Sequence, residues 1–236
     1  AQRKQWLESV IDGSKQLALA YSEAESGYEP HNVAVAGTKT ADGFTITGTK
    51  CMVQHGGTAD ALVVSFRTSG GTTDKSGISL ALIPADREGV TVQGFLTVDG
   101  LQSAEIAFDK VVVSAEDLLG DVDNGFAALN ATINDGILAI AAEAVGAMEV
   151  LYKDTVAYTQ EREQFDHALA DFQVLQHRMV EMFMEHEQCK SLLYRATMEV
   201  ANGGDDAQRN IHALKHLIGK AAFFVGENAV QTHGGM

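Results

Sequence analysis

The feature that most constrains the fold is a change in the spacing of apolar residues between residues 113 and 122. Residues 16–113 hold short β-branched segments, such as "NVAVAGT", "FTITGTK", "ALVVSF" and "AEIAFDKVVV", separated by turn clusters such as "SGGTTDKSG". Strands that follow one another roughly every ten residues indicate an antiparallel sandwich or barrel without crossover helices. We therefore expect a β-domain over residues 13–115.

From residue 122 the apolar residues recur at helical spacing instead, and no proline interrupts them. Three such runs predict three long helices, joined antiparallel by short turns. The predicted buried residues are, helix by helix, Phe126, Leu129, Ile133, Ile137, Ile140, Ala144, Met148 and Leu151; Leu169, Phe172, Leu175, Met179, Phe183, His186, Cys189 and Leu193; and Ile211, Leu214, Ile218, Ala222 and Val225.

The expected fold class is α+β, with the β-domain followed by an incomplete four-helix bundle over residues 116–236. In "ANGGDD" at 201–206, Gly203 or Gly204 is the predicted C-cap of the second long helix. Asp205 or Asp206 is the predicted N-cap of the third. The opening segment "RKQWLESVIDG" predicts one more helix, and we interpret residues 1–12 as the remnant of an N-terminal helical domain.

Composition excludes several classes of protein. The net charge of −15 argues against a nucleic-acid-binding surface, which needs a basic face. The sequence contains no run of about 18 apolar residues, so we predict no membrane span. The first residues do not resemble a signal peptide. Cys51 and Cys189 are expected to be reduced, buried thiols of a cytoplasmic protein. His212 and His216 share a helical face, but without a third ligand we expect no metal site there.

Two polar clusters are candidates for a binding site. "SEAESG" at 22–27 follows an apolar strand, where polar groups often line a site, although a solvated loop is equally ordinary. "EREQFD" at 161–166 follows the first long helix. Its arginine and aromatic residue suit a phosphate or a purine ring, although Arg162 at a helix C-terminus also complements the helix dipole. These patterns alone predict no reaction.

Four ordered motifs resemble the acyl-CoA dehydrogenase family of flavoproteins. "EREQFD" with "FQ" at 172–173 is similar to the family's R-x-Q-F-G and F-Q hairpin, and "ITGTKCMV" resembles its N-G-x-K-x-W-I strand. "AEIAFDKVVVSAEDLLGDVDNGF" resembles its exit from the β-domain, and "AVQTHGGM" resembles its A-x-Q-x-x-G-G motif. The similarity covers essentially the whole chain. Within the family, the small subunits that act on pimeloyl-CoA look closest.

The resemblance implies α,β-desaturation of an acyl-CoA thioester, as in fatty-acid β-oxidation. A carboxylate removes the α-proton while the β-hydride moves to N5 of FAD. The implied cofactor-binding residues are Tyr21, Ser22, Glu23, Met52 and Gln54 near the flavin, and Arg162, Gln164, Phe165, Gln231, Gly234 and Gly235 near the pyrophosphate and adenine. The Arg162 cluster is expected to serve the cofactor of a neighbouring subunit.

Several positions depart from the family pattern. Met52 replaces a tryptophan that stacks beside the flavin, and Tyr28 replaces a serine that commonly contacts CoA. Asn134 and Ile137 replace an Asp and an Arg that face CoA. Some members carry their base on this helix, at the position of Gly136; the adjacent Asp135 would point about 100° away.

The resemblance also implies that this sequence is a fragment. The catalytic residue is unknown here, because the expected glutamate lies beyond Met236. Implied partners are an acyl-CoA substrate, an electron-transfer flavoprotein or similar acceptor, and a second subunit in a homodimer, homotetramer or hetero-oligomer. Two alternatives remain open: a non-catalytic subunit of a hetero-oligomeric acyl-CoA dehydrogenase, and another flavin oxidase on the same scaffold.

Overall fold

The computed structural model describes residues 2–235, with the side chains of residues 3–5 left out. Ala1 and Met236, the ends of the predicted domains, lie outside the described residues. The chain forms two compact units, residues 1–131 and residues 132–236. The first holds the main sheet, a short helix and the first turns of the first long helix, and the second holds the rest of the long helices and a two-strand hairpin. The α+β class expected from the sequence is confirmed.

The first unit is built on one eight-stranded mixed sheet. Helix α1 (Gln2–Ile11) precedes it, as predicted. The strands are β1 (Leu17–Ala20), β2 (Ala36–Lys39), β3 (Gly43–Gln54), β4 (Ala61–Arg67), β5 (Ile78–Pro84), β6 (Val90–Leu96), β7 (Gln102–Ser114) and β8 (Leu118–Leu119). Their order is β6-β7-β3-β2-β4-β5-β8, with β1 paired to β4.

Most strand pairs are antiparallel, but β1 runs parallel to β4, and β2 meets β4 in parallel at a single pair. The apolar faces of these strands enclose a core that includes Ile46, Phe66, Ile83 and Ile106, all without exposed surface. Trp6 of α1 packs separately against Ala61 and Leu82. The sole tryptophan therefore reports on this unit.

One predicted strand, "NVAVAGT", is shorter in the structure. Strand β2 begins only at Ala36, while Val33 and Val35 are buried outside it. The strand begins late because the backbone N–H groups of Ala34 and Val35 donate to the side chain of Glu23 and not to a neighbouring strand.

Three long helices follow, as predicted: α2 (Phe126–Glu161), α3 (Gln173–Ala201) and α4 (Ala207–Thr232). A two-strand hairpin, β9 (Glu163–Gln164) and β10 (His167–Ala168), separates α2 from α3. Asn202 is the C-cap of α3, Gly203 follows it with φ +63°, and Asp206 is the N-cap of α4.

The predicted buried stripes are correct in the main and wrong at three residues. Ile140, Leu151 and Phe183 are exposed at 61%, 37% and 46%. The core of the second unit instead takes small or polar positions of α2, including Ala141, Val145, Thr155 and Thr159. A helix buries the face its partners contact, and small side chains allow those partners to approach closely.

Candidate functional site

The end of β1 and the middle of β3 meet in the first unit. The backbone N–H of Cys51 donates to the carbonyl oxygen of Ser22 at 2.9 Å. The hydroxyl Oγ of Ser22 lies 3.9 Å from the Cys51 sulfur. These segments lie 29 residues apart in sequence, and each carries predicted flavin contacts. The fold therefore joins the two stretches that the family resemblance had singled out independently.

Met52 lies in a bulge of β3 beside this junction. The pairing of β3 with β7 shifts between Lys50 and Val53, so Cys51 and Met52 fall outside the ladder. Met52 takes a left-handed conformation with φ +50° and is 56% exposed, and Gln54 is also exposed. A bulge re-aims side chains and is common next to binding sites. Here it presents a flexible, polarisable thioether to solvent.

A tight turn follows Ser22 and ends at Tyr28. The Ser26 hydroxyl donates to the Glu23 carbonyl, and the Glu29 N–H donates to the Ser26 carbonyl. Tyr28 has φ +71° and its side chain is fully exposed. A bulky residue in the left-handed region stores backbone strain of about 1–3 kcal/mol, which the surrounding structure must offset.

A buried ion pair lies below the junction. The Lys50 ammonium donates to Glu23 Oε1 at 2.7 Å, to the Tyr21 carbonyl at 3.1 Å and to Ser65 Oγ at 3.0 Å. Neither Lys50 nor Glu23 is more than 8% exposed. Burial lowers the pKa of Lys50 to about 8, although the attraction of Glu23 opposes that shift. Glu23, expected to contact the cofactor, is thus engaged inside the sheet.

The second unit presents the hairpin between α2 and α3. Phe165 and Asp166 form its two-residue turn with φ +59° and +63°, the geometry of a type I′ turn. Phe165 is 83% exposed, and Arg162 and Gln164 are exposed beside it. This small hairpin therefore holds a guanidinium, an amide and an aromatic ring toward solvent.

The C-terminal end of α4 lies next to the base of this hairpin. The ring of His233 packs on Tyr158 with centroids 4.3 Å apart, and the Tyr158 carbonyl accepts the Arg162 N–H. Gly234 and Gly235 have φ +100° and +72°, and a Cβ on either would meet nothing within 4 Å. The preceding Gln231 is exposed. Two motifs predicted to bind the ADP part of FAD are thus neighbours.

The two predicted substrate positions on α2 are occupied by internal packing. The Asn134 amide donates to Gln208 Oε1 on α4 at 2.8 Å. Ile137 is partly buried and packs against the helical core. Both side chains act within the bundle in the structure, in contrast to Tyr28, which is open to solvent.

Backbone strain was the site signal that sequence patterns missed. Seven non-glycine residues of the described chain have positive φ, and three of them, Tyr28, Met52 and Phe165, are predicted site residues. Such strain concentrates at functional sites. The other missed feature is the role of Lys50, which is the lysine of the N-G-x-K-x-W-I pattern and lies in register with the buried Phe44 and Ile46 of β3.

Neither a metal cluster nor a membrane segment emerges from residues 2–235. Within that part of the chain, no three His, Cys, Asp or Glu side chains form a group that could hold a metal ion. His212 lies instead 2.6 Å from the Gln208 side chain. None of the described helices combines the length and the apolar character that crossing a membrane requires.

Comparison with known proteins agrees with this arrangement. Residues 18–111 match the family model of the acyl-CoA dehydrogenase middle domain, and residues 123–236 match that of the acyl-CoA dehydrogenase C-terminal domain. The short-chain specific acyl-CoA dehydrogenase of Megasphaera elsdenii is 28% identical over 100% of this chain and 62% of its own length. The 3-(aryl)acrylate reductase of Clostridium sporogenes is 26% identical over 99% of this chain and 62% of its own.

The solved structure of PigA with FAD and proline superposes with a TM-score of 0.93 at 27% identity. It covers 99% of this chain, which in turn spans 61% of PigA. The chain therefore spans about three fifths of the length of the relatives it matches. The two family models, the relatives and the shared fold together establish that this chain belongs to the acyl-CoA dehydrogenase family.

Proposed function

We propose that this chain belongs to an FAD-dependent acyl-CoA dehydrogenase, with residues 13–115 as the flavin-side β-domain and 116–236 as the helical bundle. The observation that carries the proposal is the hydrogen bond from the Cys51 N–H to the Ser22 carbonyl. It unites two motifs that each resemble a flavin-contacting segment. The PigA structure contains FAD on the same fold, which supports the choice of cofactor.

The residues of the β unit suit a flavin ring. The Ser22 hydroxyl and the Gln54 amide would supply hydrogen bonds to it, and Tyr21 precedes Ser22 at the strand end. The exposed Met52 thioether replaces a stacked indole, and a sulfur–aromatic contact contributes about 0.3–1.5 kcal/mol. When bound, FAD supplies the hydride acceptor, and the protein supplies orientation.

The helical unit fits the ADP portion of the cofactor. Arg162 offers a planar fork for the pyrophosphate, Gln164 offers an amide, and Phe165 offers a ring for adenine. The open positions next to Gly234 and Gly235 let a ligand approach the backbone closely, with Gln231 one turn before them. The resemblance supports delivery of the Arg162 cluster to a neighbouring subunit's cofactor, and hence a dimer or tetramer.

A second candidate is a non-catalytic subunit of a hetero-oligomeric acyl-CoA dehydrogenase. The observation that favours it is the engagement of Asn134 with Gln208 and of Ile137 with the helical core. Neither side chain is then available to hold CoA. The solvent-exposed Tyr28 also differs from the small polar residue that the resemblance leads us to expect.

The deciding experiment uses the complete protein from which this chain comes. FAD retention is measured after gel filtration, followed by anaerobic titration with acyl-CoA thioesters of increasing chain length. Bleaching of the flavin absorbance, with slow reoxidation by O₂ and fast reoxidation by an electron-transfer flavoprotein, supports the dehydrogenase. Fast reoxidation by O₂ supports an oxidase. Retained FAD without bleaching, or FAD bound only with a homologous partner subunit, supports the second candidate.

A matched pair of arginine variants tests the cofactor assignment. Arg162→Met is expected to weaken FAD binding at least about tenfold, since a charge-assisted bond to phosphate is among the stronger polar contacts. Arg178→Met removes an exposed arginine of α3 and leaves FAD binding unchanged. Equal FAD affinities in the two variants would contradict the placement of the pyrophosphate at the hairpin.

A further inference from the structure

The buried pair of Lys50 and Glu23 has more contacts than an ion pair needs. Glu23 accepts the Ala34 N–H at 2.8 Å and the Val35 N–H at 3.2 Å, besides the Lys50 ammonium. The Lys50 ammonium also donates hydrogen bonds to the Tyr21 carbonyl and the Ser65 hydroxyl. The pair thus connects the end of β1, the middle of β3, the segment before β2, and β4.

The same two residues bracket the junction described above. Lys50 immediately precedes Cys51 and Met52, and its ammonium bonds the carbonyl of Tyr21, the residue before Ser22. Glu23 immediately follows Ser22. A displacement of either side chain therefore shifts the backbone that carries Ser22 and the bulge that carries Met52.

We propose that Lys50 and Glu23 are positioning residues for the flavin site: their buried ion pair fixes the Tyr21–Ser22 strand end against the Cys51–Met52 bulge. This inference rests on the proposed function, because it assigns the positioned segments to FAD. Neither side chain touches the cofactor in this role, since both are buried within the sheet. Removing the pair leaves the residues that face FAD intact but releases the backbone that carries them.

Burying charges is costly, and a simpler structural role would predict a loss of stability alone. The test therefore separates stability from flavin geometry. Lys50→Met leaves the Glu23 carboxylate buried without its cation, whereas the double variant Glu23→Gln/Lys50→Met leaves no unpaired charge. Arg87→Met is the matched control, because it breaks another ion pair of the same unit, 2.6 Å from Asp117, that involves no predicted cofactor residue.

FAD affinity and the visible spectrum of the flavin are measured on the complete holoprotein, at denaturant-free conditions where Trp6 fluorescence shows each variant folded. We expect both Lys50 variants to bind FAD at least about tenfold more weakly with a shifted flavin band, even where the double variant recovers stability. Arg87→Met is expected to keep the wild-type affinity and band. FAD affinities that follow stability across all three variants would overturn the proposal.

The rate at which Cys51 reacts with an alkylating reagent gives a readout that does not depend on FAD. Loss of a neighbouring cation by itself slows thiol reactions, so a faster Cys51 in Lys50→Met reports an opened strand end. We expect a rise of at least about fivefold, with Cys189 as the unreactive internal reference. If the wild-type protein binds no FAD, the proposed function fails, while this rise still supports the anchoring. An unchanged Cys51 rate overturns the anchoring itself.

Discussion

The large buried polar side chains of the two units differ in how completely they are hydrogen-bonded. In the β unit, Lys50 and Glu23 satisfy each other and four backbone or hydroxyl groups. Arg67 uses all five guanidinium donors on backbone carbonyls of residues 31, 33, 72, 74 and 76. In the helical unit, His186 and Asn210 hold the buried side-chain atoms that, among the described residues, have no hydrogen-bond partner.

The difference distinguishes buried polar groups whose hydrogen bonds connect separate segments from buried polar groups that make no hydrogen bond. A buried donor without a partner costs about 1–3 kcal/mol, whereas a partnered one is close to neutral or favourable. The Glu187 carboxylate comes within 3.1 Å of His186 Nδ1, but it does not make an aligned hydrogen bond, and Glu187 is half-buried. We therefore expect substitutions of the fully partnered Lys50 and Arg67 in the β unit to be severe, and substitution of the unpartnered His186 in the helical unit to be mild.

The largest expected effect is that of Lys50→Met. Leaving the Glu23 carboxylate buried without its cation should lower the free energy of unfolding of the β unit by about 3–5 kcal/mol. Urea titration followed by Trp6 fluorescence measures it, since Trp6 is the sole tryptophan and packs in this unit. Lys39→Met, on an exposed position of β2, should change stability by less than about 0.5 kcal/mol. Similar values for both variants would remove the contrast.

The pH dependence of stability provides a second test of Lys50. Burial lowers the pKa of Lys50 in the folded protein to about 8, whereas in the unfolded chain it is about 10.4. Between these two pH values the unfolded chain binds more protons at Lys50 than the folded protein does. The cost of charging Lys50 is fully present below about pH 8 and is relieved as the pH rises toward about 10.4, by about 3 kcal/mol. Subtracting the unfolding free energies of the double variant Glu23→Gln/Lys50→Met from those of the wild-type protein at each pH isolates the contribution of Lys50. A difference that does not change with pH would contradict the lowered pKa.

His186→Leu is the corresponding test in the helical unit. Replacing an unpartnered buried imidazole with an apolar side chain should leave stability unchanged or raise it by about 1 kcal/mol. Circular dichroism at the helix band during urea titration follows this unit. Leu193→Ala, which removes apolar contacts on the same helix, should cost about 2–5 kcal/mol. A loss of more than about 1 kcal/mol in His186→Leu would indicate that the imidazole has a stabilising role.

The smallest expected effect is that of Asp166→Gly in the hairpin after α2. A type I′ turn needs positive φ at both central residues, and glycine adopts it without strain, so we expect a gain of about 0.5–1 kcal/mol. Asp135→Gly, at an exposed position inside α2, should instead cost about 0.3 kcal/mol, the difference between the helix propensities of aspartate and glycine. Thermal denaturation of both variants measures the difference, and a loss of stability in Asp166→Gly would argue against the turn geometry.

Apolar spacing predicted the element types because strand and helix periods differ, and short-range motifs predicted Ser22, Met52 and Arg162. The exposure of Ile140, Leu151 and Phe183 could not be predicted in that way. Spacing shows that a helix has apolar positions, but the burial of one face depends on where α3 and α4 pack. The early end of the predicted "NVAVAGT" strand likewise depends on Glu23, a residue from another segment.

By itself the sequence determined an α+β chain with a β-domain, three long helices and the motifs of a flavoprotein family, since these depend on local spacing and local residue type. Only the tertiary structure decided that Lys50 pairs with Glu23, that Cys51 bonds Ser22, and that Met52, Tyr28 and Phe165 take left-handed conformations. Those features depend on strand register and on contacts between residues far apart in sequence. The Lys50–Glu23 pair in particular reflects the cost of leaving a buried polar group without a partner, and no local pattern specifies which partner the fold supplies.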